Sequence, residues 1–252
     1  MEMNLLFTRD LKTELADLEQ VFKHSLLPWW DNIDIYVEKL KTDLTWMILP
    51  PVVMSIYQYA GHSRQLSIAM SNIFRNCYLA HRIHGLVKDD EEGQQYNQDL
   101  QFNILIGDYI SGRVLKALVE TKTDHLLSDF AEMIADVNQG MVIKHKLDSS
   151  FSKIIETTRV PFYATAFLTA AKLAGYDAEF CKFYHQMGYH FGMSVELGQD
   201  SISHQQAQSH VHQCEKLFLK INKHSNSSNS SLEKAIRELH SQFCGLEEFA
   251  VV

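Results

Sequence analysis

The sequence predicts an all-α protein, organised as one domain over residues 1–252. Apolar residues recur every three or four positions through most of the chain, which is the spacing of amphipathic helices. Glycine and proline are scarce, at 11 and 4 residues, whereas a sheet-rich fold with many turns would need more of both. The length is sufficient to bury a substantial core, and no shift in composition marks a domain boundary.

The apolar spacing places about nine or ten helices in order along the chain. The predicted helices cover residues 5–23, 33–49, 52–59, 63–86, 100–120, 124–146, 149–174, 178–197, 204–223 and 232–245. Pro50 and Pro51 are expected to separate the second helix from the third, and Pro161 to kink or break the seventh, because proline lacks the amide hydrogen of a helix interior. The polar stretches 88–97 and 225–231 are predicted to be loops, the second of them flexible.

Three residues mark predicted helix ends. Ser63 and Asp177 are placed to act as N-caps, since a side-chain oxygen can accept the free amide hydrogens of a first turn. Gly175 follows the 149–174 helix, where a left-handed C-terminal cap is expected. These residues predict tight turns before residues 64 and 178.

Composition excludes several classes of protein. The net charge of −8 argues against a general nucleic-acid binder, which needs clustered lysine and arginine. The most apolar window, residues 46–59, is too short to span a bilayer, and the N-terminal residues lack the pattern of a signal peptide. Four widely spaced cysteines suggest free thiols in a reducing compartment. A cytoplasmic protein is therefore expected.

Three cysteine and histidine pairs have the i,i+4 spacing that places two metal ligands on one helix face. They are Cys77 with His81, Cys181 with His185, and His210 with Cys214. Two such pairs meeting in space would make a zinc site. Because the chain contains 13 histidines, coincidental spacing is the favoured interpretation, and no metal site is predicted.

Residues 188–203 read Gly-Tyr-His-Phe-Gly-Met-Ser-Val-Glu-Leu-Gly-Gln-Asp-Ser-Ile-Ser. This stretch resembles the second aspartate-rich motif of the trans-polyprenyl diphosphate synthase (isoprenoid synthase) family, G-x-x-L-G-x-A-F-Q-I-x-D-D-I-L-D. Five small or apolar positions of the motif are kept, at Gly188, Phe191, Gly192, Ser194 and Leu197, and Glu196 stands where the motif has glutamine. The three aspartates of the motif fall on Gln199, Asp200 and Ser203. One carboxylate of three therefore remains.

Four further stretches resemble the same family, in the family's order. Residues 103–118 are similar to the A-V-L-A-G-D-Y-L-x-x-R-A-x-x-L helix, 138–144 occupy the place of E-G-E-L-x-Q, and 154–175 share the small residues of the K-T-A helix. Residues 79–85, Leu-Ala-His-Arg-Ile-His-Gly, occupy the place of the first aspartate-rich motif, L-x-H-D-D-x-x-D. The aspartates of that motif are replaced by Arg82, Ile83 and Leu86.

The resemblance implies an isoprenoid-synthase-like helical bundle whose catalytic site is lost. In the family the two motifs face each other and hold Mg²⁺ ions that bridge an allylic diphosphate, and Mg²⁺ requires carboxylate oxygens there. No catalytic residue, metal or other cofactor is therefore expected in this chain. Arg82, Lys144 and Arg159 could form a cationic pocket for a diphosphate, although ordinary salt bridges are the favoured interpretation.

Among family members, this combination most resembles the small, non-catalytic subunit (component I) of heterodimeric heptaprenyl diphosphate synthases, whose product supplies the menaquinone side chain. The leading hypothesis is an accessory subunit that pairs through helices at 100–146 with a catalytic large subunit carrying Mg²⁺, or forms a homodimer in its absence. An isoprenoid diphosphate or product chain is the expected ligand. Two alternatives stay open: an active enzyme that uses Arg82, Arg159 and Asp200, and a helical isoprenoid- or lipid-binding protein.

Four further residues are interpreted as structural. Asp108, in the Gly-Asp-Tyr sequence, is expected to be an acid hydrogen-bonded inside the bundle, with Tyr109 beside it. Asp200 is expected to be solvated or bonded to amide hydrogens near a helix end. Cys77 precedes the first motif, where the family sets the depth of its chain-elongation tunnel, and is expected to pack in the core.

Overall fold

The computed structural model describes residues 6–86, 98–222 and 230–245, and the regular structure in these ranges is helical. The α-helices are α1 (Lys12–Ser25), α2 (Trp30–Leu40), α3 (Leu44–Tyr59), α4 (Arg64–His84), α5 (Gln98–Glu120), α6 (Leu127–Lys146), α7 (Phe151–Thr158), α8 (Val160–Leu173), α9 (Ala178–Leu197), α10 (His204–Asn222) and α11 (Ser231–Phe243). Short 3-10 helices cover Leu6–Leu11, Asp124–Leu126 and Ser201–Ser203. The all-α prediction is confirmed.

The core lies where α3, α4, α8 and α9 pack against one another. Helix α9 lies between α8 and α10, and α4 lies between α3 and α5. Buried aromatic side chains fill the centre, among them Tyr57, Phe74, Tyr163 and Phe191. Within the described ranges, no helix is long and apolar enough to cross a membrane.

The predicted break at Pro50 and Pro51 is wrong, because α3 runs through both prolines. The chain breaks earlier, between α2 and α3, where Asp43 caps α3 by accepting the amide hydrogen of Trp46 at 3.0 Å. Proline inside a helix costs about 3 kcal/mol. Both prolines and the apolar residues from Ile48 to Tyr57 are buried. Because each such side chain contributes roughly 1.5–3 kcal/mol, packing outweighs the local cost.

The three predicted caps and the predicted break at Pro161 are confirmed. The 149–174 segment divides into α7 and α8, and Pro161 lies in the first turn of α8, where its missing amide hydrogen costs nothing. Ser63 accepts the amide hydrogen of Leu66 at 3.2 Å, and Asp177 accepts that of Phe180 at 2.8 Å. Gly175 has φ +75°, the left-handed conformation expected of a C-terminal cap.

The glycines of the 188–203 stretch bring α9 close to α8. A Cβ atom on Gly188 would lie 2.6 Å from the carbonyl oxygen of Tyr163, and one on Gly192 would lie 2.7 Å from the ring of the same residue. Side chains at these positions would therefore force the two helices apart. This confirms that the glycines of the motif serve packing.

Two predicted loops fall largely outside the described residues. The polar stretch 88–97 lies outside them entirely, as does 225–229 of the serine-rich stretch. At the end of that stretch, Ser230 caps α11 by accepting the amide hydrogen of Glu233 at 3.2 Å.

Candidate functional site

The C-terminal ends of α4 and α9 converge on a cavity of about 400 Å³ that is lined by charged side chains and by apolar ones such as Phe151 and Ile154. This cavity, called the polar cavity below, lies between the two stretches that resemble aspartate-rich motifs. It is lined by residues of both motifs and by all three predicted cationic residues, among them Arg82, Leu86, Lys144, Arg159, Glu196 and Gln199. The structure thus brings Arg82, Lys144 and Arg159 together, and their role in binding a diphosphate stays a prediction.

Glu196 is the buried anion of the polar cavity, with no exposed surface. Its Oε1 atom accepts hydrogen bonds from the hydroxyls of Thr45 at 2.6 Å and Tyr163 at 3.0 Å. Its Oε2 atom accepts one from Nη1 of Arg159 at 2.9 Å. Three donors from α3, α8 and the α7–α8 junction therefore hold this carboxylate in place.

Asp43 is the second anion, at the N-terminus of α3. Its Oδ1 atom accepts hydrogen bonds from the hydroxyl of Tyr78 at 2.8 Å and the amide of Trp46 at 3.0 Å. Its Oδ2 atom lies 3.5 Å from Nη2 of Arg82 and 3.6 Å from Nη2 of Arg159. Asp43 therefore links the two arginines.

The charges of this network are mutually compensating. Burial raises the pKa of Glu196, and the neighbouring Arg159 opposes that rise. Burial lowers the pKa of Arg159, but the attractions of Glu196, Tyr78 and Asp43 together outweigh the effect of burial, and the pKa is raised overall. Burial and the positive charge of Arg82 lower the pKa of His81 to about 4. At neutral pH Arg159 is therefore charged and the neighbouring His81 imidazole is neutral.

The side chains at the motif positions do not fit a pair of Mg²⁺ ions, which need several carboxylate oxygens. In the first motif, Arg82 is a cation, Ile83 is buried in the core and Leu86 is apolar. In the second, Asp200 caps the Ser201–Ser203 helix, where it accepts the amide hydrogen of Ile202 at 3.2 Å and the hydroxyl of Ser203 at 2.8 Å. That capping role agrees with the structural interpretation of Asp200.

A second, mainly apolar cavity of about 390 Å³ lies among α4, α5 and α6. It is called the apolar cavity below. His81 lines both cavities. The other lining side chains of the apolar cavity include Cys77, Val114, Leu115, Phe130, Ile134 and Phe162. Cys77 is buried, as predicted, and it also borders this space.

The expectation that Asp108 lies inside the bundle is wrong. Its side chain is 66% exposed, and a carboxylate oxygen lies 3.2 Å from Nε2 of His84. Gly107 makes the close approach instead, since a Cβ atom there would lie 2.2 Å from the same His84 nitrogen. The hydroxyl of Tyr109 donates to the carbonyl of Leu27 at 2.7 Å. The Gly-Asp-Tyr sequence therefore positions α5 against α4 and the chain after α1.

None of the three predicted cysteine and histidine pairs takes part in a cluster of metal-ligand type within residues 6–86, 98–222 and 230–245. The group that forms there consists of His212, His240 and Cys244. Sequence reasoning missed this group, although His240 and Cys244 have the same i,i+4 spacing as the three pairs considered.

Sequence reasoning also missed Asp43 and Thr45. The partners of Thr45 in the network, Arg159 and Glu196, lie 114 and 151 residues away along the chain, so local spacing carries no sign of them. The available signal was Glu196 itself, a carboxylate within an otherwise apolar stretch of α9, which requires buried partners.

No protein-family model matches this chain, and no curated protein matches it. Several solved structures are similar to the fold of this chain. A polyprenyl synthase from Caulobacter crescentus, complexed with calcium and isoprenyl diphosphate, is 13% identical, with a TM-score of 0.74 over 96% of this chain and 98% of that one. The geranyl diphosphate synthase small subunit from Antirrhinum majus is 14% identical, with a TM-score of 0.67 over 94% and 98%. A decaprenyl diphosphate synthase from Rhodobacter capsulatus is 11% identical, with a TM-score of 0.64 over 94% and 85%.

These similarities show the fold. The chain has the all-α fold of the polyprenyl and geranyl diphosphate synthases, as the sequence motifs predicted. Because one fold can host many functions, its activity must be argued from the site.

Proposed function

We propose that this chain is a catalytically degenerate accessory subunit of a long-chain trans-prenyl diphosphate synthase, of the heptaprenyl type that serves menaquinone side-chain synthesis. One observation carries the proposal. At the polar cavity, where the family motifs would place facing aspartates, Asp43 instead lies within ion-pair distance of both Arg82 and Arg159. Ionisation of an allylic diphosphate by metal ions needs free carboxylates there.

The carboxylates nearest to the cavity, Glu196 and Asp43, already have hydrogen-bond and ion-pair partners within the chain. Glu196 accepts three hydrogen bonds, and one of its partners is Arg159. Releasing this carboxylate to a metal would leave the cation without its main partner, which is costly in a buried site. The network therefore supports a structural role for these residues. The rival enzyme hypothesis is weakened further because Asp200 caps a helix.

The docking surface for the catalytic partner is proposed to lie on α5 and α6. On α5, the exposed apolar residues Leu105, Leu115 and Val119 fall within about 100° of arc at the helical repeat. On α6, Leu127, Ile134 and Val142 form a similar stripe. Both helices border the apolar cavity, and Leu115, Leu127 and Ile134 line its rim. Exposed apolar stripes of this kind are typical of a protein interface. A homodimer through the same surface is expected when no partner is present.

A second candidate function, binding of an isoprenoid, is favoured by the two cavities. An apolar chain fits the apolar cavity, and a diphosphate head fits beside Arg82 and Lys144 in the polar cavity. The two spaces share His81. In the accessory-subunit proposal the same arrangement would hold part of an elongating product chain.

Coexpression with the catalytic prenyl diphosphate synthase of the same genome tests the pairing. The two chains are expected to copurify, with higher prenyl-transfer activity or a longer product than the partner gives alone. Leu105→Glu, at a side chain 66% exposed on α5, is expected to reduce copurification, because it places a charge in an apolar interface.

Ile202→Glu is the matched control, because Ile202 is 91% exposed and lies outside both helices. Equal copurification of the two variants would argue against the proposed surface on α5. A partner that does not copurify, and whose activity and product are unchanged by this chain, would argue against the pairing. An isoprenoid copurifying with the chain alone, together with no effect on the partner, would favour the binding protein.

A further inference from the structure

Four side chains gather where the end of α11 meets α10, away from both cavities. His212 and Glu215 belong to α10, His240 to α11, and Cys244 follows α11 directly. One nitrogen or sulfur atom from each of His212, His240 and Cys244 lies within 4.8 Å of the others. The Sγ atom of Cys244 is 3.8 Å from Nε2 of His212.

The separation between Cys244 and His212 is close to that of two ligands in a tetrahedral metal site. With Zn–S near 2.3 Å and Zn–N near 2.0–2.1 Å, neighbouring ligand atoms lie roughly 3.5 Å apart. The 3.8 Å between Cys244 and His212 needs only a small adjustment of one side chain. Cys244 and His212 are partly exposed and His240 is buried, so an ion can reach the site from solvent.

Glu215 orients both imidazole rings. Its Oε1 atom lies 2.5 Å from Nδ1 of His240, and its Oε2 atom lies 3.4 Å from Nδ1 of His212. Histidines that bind metal commonly present their other ring nitrogen to a carboxylate, which fixes the tautomer and the ring. For His212, this leaves Nε2 directed towards the cysteine thiol.

We propose that His212, His240 and Cys244 bind a divalent transition metal, with zinc as the natural occupant and Glu215 as the residue that positions the histidines. Two imidazoles and a thiolate suit Zn²⁺ or Co²⁺ and not Mg²⁺. Water completes the fourth position. Because the ligands come from two helices, the ion joins the end of α11 to α10. The site is independent of the accessory-subunit proposal.

Titration of the full, reduced, metal-free chain with Co²⁺ tests the site, because cobalt bound to a thiolate gives a charge-transfer absorption band. One equivalent of Co²⁺ is expected to produce the band, and addition of Zn²⁺ is expected to displace the cobalt and abolish the band. Cys244→Ser is expected to abolish the band. Glu215→Gln is expected to weaken binding by about 10- to 100-fold while keeping the band, as for other residues that orient metal ligands.

Cys181→Ser with His185→Gln, the i,i+4 pair on α9, is the matched control and is expected to bind Co²⁺ like the unmodified chain. Zn²⁺ is also expected to raise the melting temperature of the unmodified chain, since binding to the folded state stabilises it. His212→Gln, at a partly exposed position, should lose that rise while remaining folded. A chain without the thiolate band, or a band kept in Cys244→Ser, would overturn the proposal.

Discussion

At the scale of a single residue, Glu196 shows how the charged residues of the polar cavity stabilise the fold. It is buried without exposed surface, and its neighbour Arg159 provides the compensating charge at 2.9 Å. Removing one partner of a buried ion pair is more costly than replacing both, because the remaining charge is left without compensation.

Arg159→Met is therefore expected to lower the free energy of unfolding by about 3–5 kcal/mol, measured by urea denaturation. Arg82→Met is the matched control, since its side chain is 38% exposed and lies 3.5 Å from Asp43; a loss of about 1 kcal/mol or less is expected there. The double variant with Glu196→Gln should recover part of the loss. Equal losses for the two single variants would contradict this reading of the network.

The same variant has an expected pH dependence. Burial raises the pKa of Glu196 above its ordinary value, and loss of Arg159 removes the main effect that opposes the rise. The folded chain then holds a proton that the unfolded chain releases, so stability is greatest below the unfolded pKa and falls as the pH rises through the folded pKa. The deficit of Arg159→Met relative to the unmodified chain should be smaller at about pH 5 than at about pH 8. A deficit that does not change with pH would contradict this assignment.

At the scale of helices, the close contact of α8 with α9 depends on missing side chains. A Cβ atom at Gly188 would lie 2.6 Å from the backbone of α8, and such overpacking costs about 1–3 kcal/mol. Gly188→Ala is expected to destabilise the chain although alanine favours helices. Gly112→Ala on α5, where a Cβ atom would meet nothing within 4 Å, should stabilise it by about 0.5–1 kcal/mol. Thermal unfolding separates the two, and stabilisation by both would contradict the packing role.

Helices and their caps could be predicted because their signals are local. Ser63, Gly175 and Asp177 each act through neighbours a few residues away. The passage of α3 through Pro50 and Pro51 could not be predicted, because it depends on burial by distant helices. For the same reason, the comparison with the family motifs pointed to Arg82 and Arg159 but did not reveal Asp43, which joins them.

At the scale of the whole molecule, the fold of prenyl diphosphate synthases is combined with a network in which Arg159 pairs with the carboxylates of Asp43 and Glu196. The exposed apolar stripes of α5 and α6 remain available for a partner. These features together motivate an accessory role, in which chemistry belongs to the other subunit.

An assay of prenyl transfer by the purified chain tests the accessory role most directly. The assay contains isopentenyl diphosphate, an allylic diphosphate and Mg²⁺. No product is expected from the chain alone, and more product or a longer product is expected from the mixture than from the catalytic subunit alone. Mg²⁺-dependent turnover by the chain alone, lost in Arg82→Ala or Asp200→Asn, would contradict the accessory role and identify an enzyme with a reworked site.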